Sequence, residues 1–311
     1  MRIAIVGGGI VGLTLCDFLS DNFVKAQITV FEVRDLPNKS GTSIRNSGVL
    51  HAGLYYKAGS LKAELCVEGA KLMRNYIIRK KLPLLECGKL LVPKVNDANS
   101  FSRLQAIYHN AKNNGCIVEL IDESKASAIQ PGIIGVDQYL WSPKTAVFNP
   151  ETIINTLYQD LLKKGIKFET KKITNIDSRN GQLVYNGKIE EYDYIINVAG
   201  HGSLQLLQND LNTYQHLFNL PILGQYCSLI SGPKICTNIY PVPDPNLPFL
   251  GIHITPQCSY FPIIGPNAVP IFSEEVTGMS VSDKKALVSR VGIHMSMFIQ
   301  NKSNYKKRIS N

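Results

Sequence analysis

The N-terminal segment alternates between short apolar runs and a glycine-rich turn. The run from Ile3 to Val6 is apolar throughout, which predicts a buried parallel strand. The stretch after it places apolar side chains at helical spacing: Val11, Leu15, Phe18 and Leu19. A second apolar run, "ITVFE", predicts another strand that ends at Glu32. The order strand, helix, strand is typical of one half of a parallel α/β sheet.

Three glycines lie between the first strand and the helix. Gly7, Gly9 and Gly12 fit the spacing G-x-G-x-x-G, in which they permit a tight turn, close approach of a pyrophosphate and close packing of helix on strand. The helix N-terminus would offer N–H groups to phosphates, and Glu32 would accept hydrogen bonds from ribose hydroxyls. The segment therefore predicts a dinucleotide site that also includes Gly8, Ile10, Val11 and Val33. NAD and FAD both remain open here, since they share the same ADP half.

Later segments predict a second sheet interleaved with the first. A helix from residue 150 would turn these side chains inward: Ile153, Ile154, Leu157, Leu161 and Leu162. A strand from Tyr194 to Val198 ends at a glycine turn, which would bring backbone near the cofactor. The segments "GKLLVPK" and "GVDQYLWSP" predict strands of another sheet, and residues 220–275 predict mostly antiparallel strands.

Composition narrows the class of protein. With 311 residues, 44% hydrophobic and 18% charged, the chain is typical of a folded globular protein and not of a disordered or fibrous one. No apolar run approaches the ~20 residues of a membrane span, and the N-terminus does not resemble a signal peptide. The seven cysteines are scattered without a CxxC pair, which favours reduced thiols over disulfides or a zinc site. We therefore expect a cytoplasmic protein without a metal.

The net charge of +9 is concentrated at the C-terminus. Residues 281–311 contain seven Lys or Arg and a single acid, Asp283. Without a basic face that carries aromatic or groove-reading elements, nucleic acid is not an expected partner. The tail is predicted to be a solvated basic helix. Weak attraction to an anionic surface at the inner face of a membrane is the alternative.

Four segments resemble one enzyme family. They are "RNSGVLHAGLYYKAGSLKAELCVEGAKLM", "CGKLLVP", "IYPVPDPNLPFLGIHIT" and "IGPNAV", and with the glycine turn they extend in order from residue 1 to about 275. They resemble L-2-hydroxyglutarate oxidases/dehydrogenases, FAD enzymes of the D-amino-acid-oxidase-like superfamily. The resemblance implies FAD and not NAD. It also implies that the segment from Ser43 to His51 wraps the flavin end of the cofactor, where small residues let the backbone approach the ring.

The resemblance implies a mixed α/β fold, with a Rossmann-like FAD-binding domain interleaved with a β-rich substrate domain. The expected boundaries are 1–90 and 150–209 for the first, 91–149 and 210–280 for the second, and 281–311 for the tail. The cofactor contacts expected beyond the glycine turn are Ser43, Arg45, Asn46, Ser47, Gly48, Val49, Ile173, Ala199 and Gly200.

The implied reaction is removal of hydride from C2 of L-2-hydroxyglutarate to flavin N5, which gives 2-oxoglutarate. Electrons would then pass to oxygen or a quinone-linked acceptor. A base must take the hydroxyl proton, and imidazole titrates in the useful range. His51 is the first candidate and His253 the second. The alternative for each is a histidine that is hydrogen-bonded in the core.

The substrate is a dicarboxylate, so its pocket needs cations or several hydrogen-bond donors. The residues predicted to bind it are Tyr55, Lys57, Tyr240 and Asn267. Lys62 and Lys89 also lie in the family-like motifs. Solvated surface charge is the alternative for each lysine, and packing is the alternative for the tyrosines.

Two departures from the family pattern lead to further expectations. Leu223 and Gln225 in "PILGQYCSL" stand where the family shows an arginine and an acid in an "RGEYF"-like run. Family members also continue beyond the last residue here, so a separate chain could supply the rest. The alternatives to the leading function are a related FAD oxidase of amino acids or glycerol phosphate, and a truncated flavin-binding fragment without activity.

Overall fold

The computed structural model describes residues 1–211, 214–219, 221–244 and 251–270. The chain divides into two compact units, one formed by Met1–Phe218 with Tyr226–Pro266 and the other by Asn219–Gln225 with Asn267–Asn311. The basic tail predicted for 281–311 lies outside the described residues. In the described ranges, no helix is both long and apolar enough to cross a bilayer.

Helices and strands alternate along the described residues in a mixed α/β arrangement, as predicted. The α-helices are α1 (Ile10–Asn22), α2 (Leu61–Arg79), α3 (Ala98–Asn113), α4 (Glu123–Ile129), α5 (Pro150–Lys163) and α6 (Ser203–Leu211). The strands are β1 (Arg2–Val6), β2 (Gln27–Glu32), β3 (Val49–Leu50), β4 (Leu84–Leu85), β5 (Lys89–Val92), β6 (Glu119–Ile121), β7 (Tyr139–Ser142), β8 (Ala146–Phe148), β9 (Lys167–Thr170), β10 (Asn175–Asp177), β11 (Gln182–Tyr185), β12 (Lys188–Glu191), β13 (Tyr194–Asn197), β14 (Ile222–Leu223), β15 (Cys227–Ser228), β16 (Asn238–Pro241), β17 (His253–Thr255), β18 (Ile263–Gly265) and β19 (Val269–Pro270).

Side-chain caps begin several of these helices. The Ser60 hydroxyl accepts the N–H of Ala63 at the start of α2, and the Asn149 side chain accepts the N–H of Thr152 at the start of α5. Asp97 and Asp122 cap α3 and α4 in the same way. Each cap satisfies a backbone donor that has no partner inside the helix and stabilises it by about 1 kcal/mol.

A parallel sheet of four strands, in the order β13-β1-β2-β9, forms the first layer. Successive residues of β1 point to opposite faces. Ile3 and Ile5 pack with α1 and α5, whereas Ala4 and Val6 pack with apolar residues around β10 and β11. The continuous apolar run predicted as a buried parallel strand is therefore confirmed, because both faces of the sheet are covered.

The buried face of α1 differs from the one that its apolar spacing favours, and one of the five residues predicted to point inward in α5 is exposed. Val11 is 59% exposed and Phe18 is 60% exposed, while Leu13 and Cys16 are buried. The close contact of Gly12 with Gly7 fixes the rotation of α1. Leu13 and Cys16 lie on the same side of the helix as Gly12, whereas Val11 and Phe18 lie on the opposite side. In α5 the predicted inward residues are buried except for Leu162, which is 41% exposed.

A second sheet contains seven strands in the order β15-β18-β17-β16-β5-β7-β6. It confirms the predicted second sheet and is antiparallel except where β5 pairs with β16. In that pair Lys89 lies opposite Asn238, and Leu91 lies opposite Tyr240. Because side chains alternate along a strand, Lys89 and Tyr240 project from the same face. The remaining sheets are β3-β8-β4, β10-β11-β12 and β14-β19. The boundaries between a cofactor domain and a substrate domain stay a prediction.

Gly88, immediately before β5, lies directly against the indole ring of Trp141 on β7. Its φ is +66°, and a Cβ there would lie 1.9 Å from the indole ring. We expect Gly88→Ala to lower the free energy of unfolding by about 3 kcal/mol through backbone strain and overpacking. Chemical denaturation measures this, with Gly69→Ala as the control, since Gly69 lies in α2 with no atom within 4 Å of an added Cβ. An unchanged midpoint for Gly88→Ala would contradict the placement of the indole.

Candidate active site

The turn between β1 and α1 has no room for side chains at two of its three motif glycines. Gly7 has a φ of +123°, and a Cβ on it would lie 2.3 Å from the carbonyl oxygen of Val198. A Cβ on Gly12 would lie 1.9 Å from the carbonyl oxygen of Gly7. Gly9 differs, because an added Cβ would have only the Ser43 hydroxyl nearby, at 3.0 Å. The outer two glycines therefore allow close packing, while the middle one leaves open space at the start of the helix.

Polar groups around this turn are arranged as an ADP group requires. The buried carboxylate of Glu32 accepts the N–H of Gly8 at 2.9 Å and the N–H of Arg34 at 3.0 Å. The N–H of Ile10, in the first turn of α1, donates to the Ser43 hydroxyl at 2.9 Å. The helix terminus thus binds an oxygen atom, as it would bind a phosphate oxygen. These residues fit a dinucleotide.

The segment from Ser43 to His51 begins beside the first turn of α1, contains β3 of the β3-β8-β4 sheet, and ends beside Lys89. The Asn46 side chain spans its first turn, donating to the Ser43 carbonyl at 2.9 Å and accepting the N–H of Gly48 at 2.9 Å. Gly48 has a φ of +68°, and an added Cβ would lie 2.2 Å from the carbonyl oxygen of Phe148. A cavity of about 270 Å³ adjoins the segment and is lined by Ile10, Thr42, Ser43, Asn46, Met73, Phe148, Pro150, Ile153 and Ile154. Three of the predicted cofactor residues therefore share one cavity.

The other predicted cofactor residues are spread around the first sheet and the segment that follows it. Arg45 is exposed, and so are Val11 and Val33 at the edge of the turn. Ile173 is buried in the apolar cluster that contains Phe31. Ala199 and Gly200 follow the carboxyl end of β13, and Ser47 and Val49 lie in the segment before His51. A cofactor contact at each of these positions stays a prediction.

The two candidate bases, His51 and His253, lie in one cluster. His51 directly follows β3, and its Nδ1 lies 3.3 Å from the Nζ of Lys89 on β5. The imidazole of His253, on β17, stacks on the ring of Tyr240 with 3.9 Å between centroids and 17° between planes. The Nζ of Lys89 lies 3.8 Å from the centre of the same Tyr240 ring. Adjacent strands of the seven-stranded sheet therefore bring Lys89, Tyr240 and His253 to one face, and His51 joins them from the end of β3.

Both imidazoles are neutral at neutral pH. Burial, with the charge of Lys89 next, lowers the pKa of His51 to about 3. Burial also lowers the pKa of His253 to about 4, against the effect of its hydrogen bond to the Gly251 carbonyl. His253 Nδ1 lies 3.1 Å from that carbonyl, so the proton is on Nδ1 and Nε2 is an acceptor. Nε2 is buried and has no hydrogen-bond partner among the described residues. The expectation that these imidazoles titrate near working pH is therefore wrong, because burial lowers both pKa values. Each ring still has an unprotonated nitrogen that could accept a hydroxyl proton, as a weaker base than a solvated histidine.

Lys89 belongs to this cluster, and its burial was not predicted from the sequence. It is 1% exposed, so the interpretation as a solvated surface charge is wrong. Burial lowers its pKa to about 7. In the part of the chain that the structure describes, no carboxylate forms an ion pair with it. The available signal was its place in "CGKLLVP", where it opens a strand whose other residues are apolar.

The predicted substrate-binding residues differ in their settings. In the described ranges the buried Tyr55 hydroxyl has no hydrogen-bond partner, and its ring lies 5.5 Å from Lys89 Nζ. Burial raises the pKa of Tyr55, so the hydroxyl keeps its proton and remains a donor. Lys57 is exposed. Asn267 is in the second unit, where its side chain pairs with Gln225 through two hydrogen bonds of 2.8 Å. Substrate contact by these residues stays a prediction.

A comparison with known protein families shows which family this chain belongs to. A sequence profile of the family described as "FAD dependent oxidoreductase" (DAO) matches residues 2–295. The chain belongs to the FAD-dependent oxidoreductase family. The prediction of FAD as the cofactor is confirmed, and the choice that the glycine motif left open is settled.

Curated members of this family resemble the chain over most of its length. It is 34% identical to L-2-hydroxyglutarate dehydrogenase, mitochondrial, of Caenorhabditis elegans over 285 residues, which cover 88% of this chain and 64% of the relative. It is 34% identical to the protein of the same name from Homo sapiens over 298 residues, which cover 88% of this chain and 62% of the relative. The predicted resemblance is confirmed. The chain spans less than two thirds of the length of these relatives.

Solved structures confirm the fold of the FAD-dependent oxidoreductases. L-alpha-glycerophosphate oxidase from Mycoplasma pneumoniae, with FAD bound, superposes with a TM-score of 0.74 at 19% identity, covering 94% of this chain and 78% of that one. Glycine oxidase from Geobacillus kaustophilus superposes with a TM-score of 0.71 at 18% identity, covering 93% of this chain and 77% of that one. At these identities the likeness concerns the fold alone.

Proposed function

We propose that the chain catalyses FAD-dependent oxidation of L-2-hydroxyglutarate to 2-oxoglutarate. The observation that carries the proposal is the cluster of two neutral imidazoles, His51 and His253, around the buried amine of Lys89. The segment that ends at His51 begins beside the dinucleotide turn, so the acid–base groups and the cofactor site share one stretch of chain. The names of the two curated relatives support this choice of substrate.

The reaction removes a hydride from C2 and a proton from the adjoining hydroxyl. FAD, when bound, supplies the hydride acceptor. His51 is the base for the hydroxyl proton. Its imidazole is partly buried and neutral, so one ring nitrogen carries a lone pair that can accept this proton. The acceptor Nε2 of His253 is the second candidate for the same proton. Oxygen or a quinone-linked acceptor would take up the electrons that leave the substrate.

The carboxylates of the substrate require donors. The Tyr55 hydroxyl provides one, since it is buried, protonated and without a partner. The Tyr240 hydroxyl is a second, because burial raises its pKa and keeps it protonated. Lys57 and Asn267 are the further candidates for carboxylate contact.

Anaerobic reduction of the bound flavin tests the proposal. We expect the visible absorption of the FAD-loaded chain to bleach on addition of L-2-hydroxyglutarate and to stay unchanged with the D enantiomer. Glycerol 3-phosphate and a set of amino acids are tested in the same way, because related FAD oxidases act on such compounds. Bleaching by one of these, with no response to L-2-hydroxyglutarate, would replace the proposed substrate. A flavin that no compound reduces would overturn the assignment of an enzyme.

A further inference from the structure

The contact between Lys89 and His51 joins two groups whose proton positions depend on each other. Lys89 Nζ and His51 Nδ1 are 3.3 Å apart, within reach of one hydrogen bond. We propose that Lys89 acts as a positioning residue that sets which ring nitrogen of His51 carries the proton. The proposal rests on the proposed function, in which His51 is the base.

The two charge states of Lys89 have opposite consequences for His51. An ammonium has donors and no acceptor, so it must donate to Nδ1, and the proton of a neutral imidazole is then on Nε2. A neutral amine has a lone pair that accepts the N–H of Nδ1, and Nε2 is then free to take a proton. Only the second arrangement makes His51 Nε2 a base. His51 is therefore competent when Lys89 is deprotonated.

The surroundings of Lys89 make this change possible near neutral pH. The titratable side chains that face it from the elements packed around it are His51, Tyr55, Cys66, Cys87, Tyr240 and His253. None is a carboxylate, so among the described residues no anion holds the proton on Lys89. Burial lowers the pKa of Lys89 to about 7, although the face of the Tyr240 ring favours the ammonium.

The neighbouring groups do not change charge in the same range. Burial raises the pKa of the Cys66 thiol, and it raises the pKa of the Cys87 thiol to about 11. Burial also raises the pKa of both tyrosines. The pKa values of His51 and His253 are lowered to about 3 and about 4. In this described cluster, a step near pH 7 therefore belongs to Lys89.

The proton transfers balance without a further reactant. The substrate O–H bond breaks as an Nε2–H bond forms on His51. The Nδ1–H bond of His51 breaks as an N–H bond forms on Lys89. The electron pair of the O–H bond becomes the second bond of the ketone, and C2 gives up its hydrogen with an electron pair to the cofactor. His51 ends neutral with its proton on the other nitrogen, and Lys89 ends as an ammonium that releases its proton before the next turnover.

Nitrogen NMR of the imidazoles tests the proposal without turnover. We expect the ¹⁵N shifts of His51, in histidine-labelled FAD-loaded protein without substrate, to change from the Nε2–H tautomer to the Nδ1–H tautomer as the pH rises from 6 to 9. The resonances are assigned by their loss in His51→Asn. Lys89→Met should remove the pH step, and Lys89→Arg should hold His51 in the Nε2–H tautomer throughout, since a guanidinium stays protonated. One tautomer from pH 6 to pH 9 in the wild-type protein would overturn the proposal.

Flavin reduction separates this role from carboxylate binding. The wild-type rate constant should rise about tenfold between pH 6 and pH 8, as a single group with a pKa near 7 loses its proton. Lys89→Arg should reduce that rate constant about 100-fold with little change in substrate affinity. If Lys89 instead held a substrate carboxylate, Lys89→Arg would retain the rate and Lys89→Met would weaken substrate binding. That outcome would contradict the proposal.

These experiments distinguish failure of the proposed function from failure of the proposed role of Lys89. If L-2-hydroxyglutarate does not reduce the flavin while the tautomer of His51 still changes with pH and depends on Lys89, the pairing stands and the substrate is wrong. If the substrate reduces the flavin and the tautomer does not change, the function stands and Lys89 does not position His51. Lys89→Met and Lys89→Arg are first compared with wild type by thermal melting, and the NMR result on the wild-type protein needs neither variant.

Discussion

Gly9→Leu is expected to abolish retention of FAD while the chain keeps its fold. Gly9 has a φ of −79°, which any residue adopts, and an added Cβ would have only the Ser43 hydroxyl within 4 Å. The leucine side chain would then occupy the open space at the N-terminus of α1, where the pyrophosphate is expected to bind. Flavin content per protein, from visible absorption after gel filtration, measures the loss. Far-UV circular dichroism and the melting temperature measure the fold.

Two further glycine variants show whether the loss comes from a blocked cofactor. Gly12→Val should lose fold and flavin together, because its Cβ would lie 1.9 Å from the Gly7 carbonyl oxygen inside the packed turn. Gly69→Ala, in α2 with open space around it, should keep the fold and the flavin content, with a small gain in stability from the higher helix propensity of alanine. Full flavin content in Gly9→Leu would show that the pyrophosphate does not pass over this residue.

The parallel sheet could be predicted from sequence because its signals are local and agree with one another. The apolar run of β1, the glycine spacing and the acid at the end of β2 each indicate the same strand–helix–strand unit. The inward face of α1 could not be predicted in the same way. The helical spacing of apolar residues favoured Val11 and Phe18 as buried side chains. The contact of Gly12 with Gly7 instead determines how α1 is rotated about its axis. Because glycine has no side chain, its packing contact does not appear in the periodic pattern of apolar residues.

The candidate bases were predicted by resemblance, and the structure adds that they lie together. His51 and His253 are far apart in sequence. The pairing of β5, β16 and β17 places His253 near Lys89, while His51 reaches the same amine from the end of β3, which belongs to another sheet. The burial of Lys89 could not be predicted, because lysine is almost never fully buried and nothing local contradicted a surface position. Its environment is set by register with a strand about 150 residues later, which no window of sequence contains.

His51→Ala is expected to slow anaerobic flavin reduction by L-2-hydroxyglutarate by about 100-fold or more. The variant removes the imidazole that would take the hydroxyl proton and leaves the dinucleotide turn untouched. Flavin content should therefore equal that of the wild type. Stopped-flow absorbance measures the rate constant over a range of substrate concentrations. His109→Ala is the control, since His109 is exposed and contacts Tyr108 on α3, outside the cluster.

The dependence on substrate concentration decides what His51 does. A base acts only as the hydroxyl proton leaves, so its loss lowers the limiting rate constant and leaves the half-saturating concentration nearly unchanged. A histidine that merely packs against substrate would change the half-saturating concentration instead. His253→Ala is measured beside it, because the acceptor Nε2 of His253 is the other group able to take the proton. A large loss in His253→Ala, with none in His51→Ala, would transfer the role of base to His253, and the pairing of His51 with Lys89 would then have no part in catalysis.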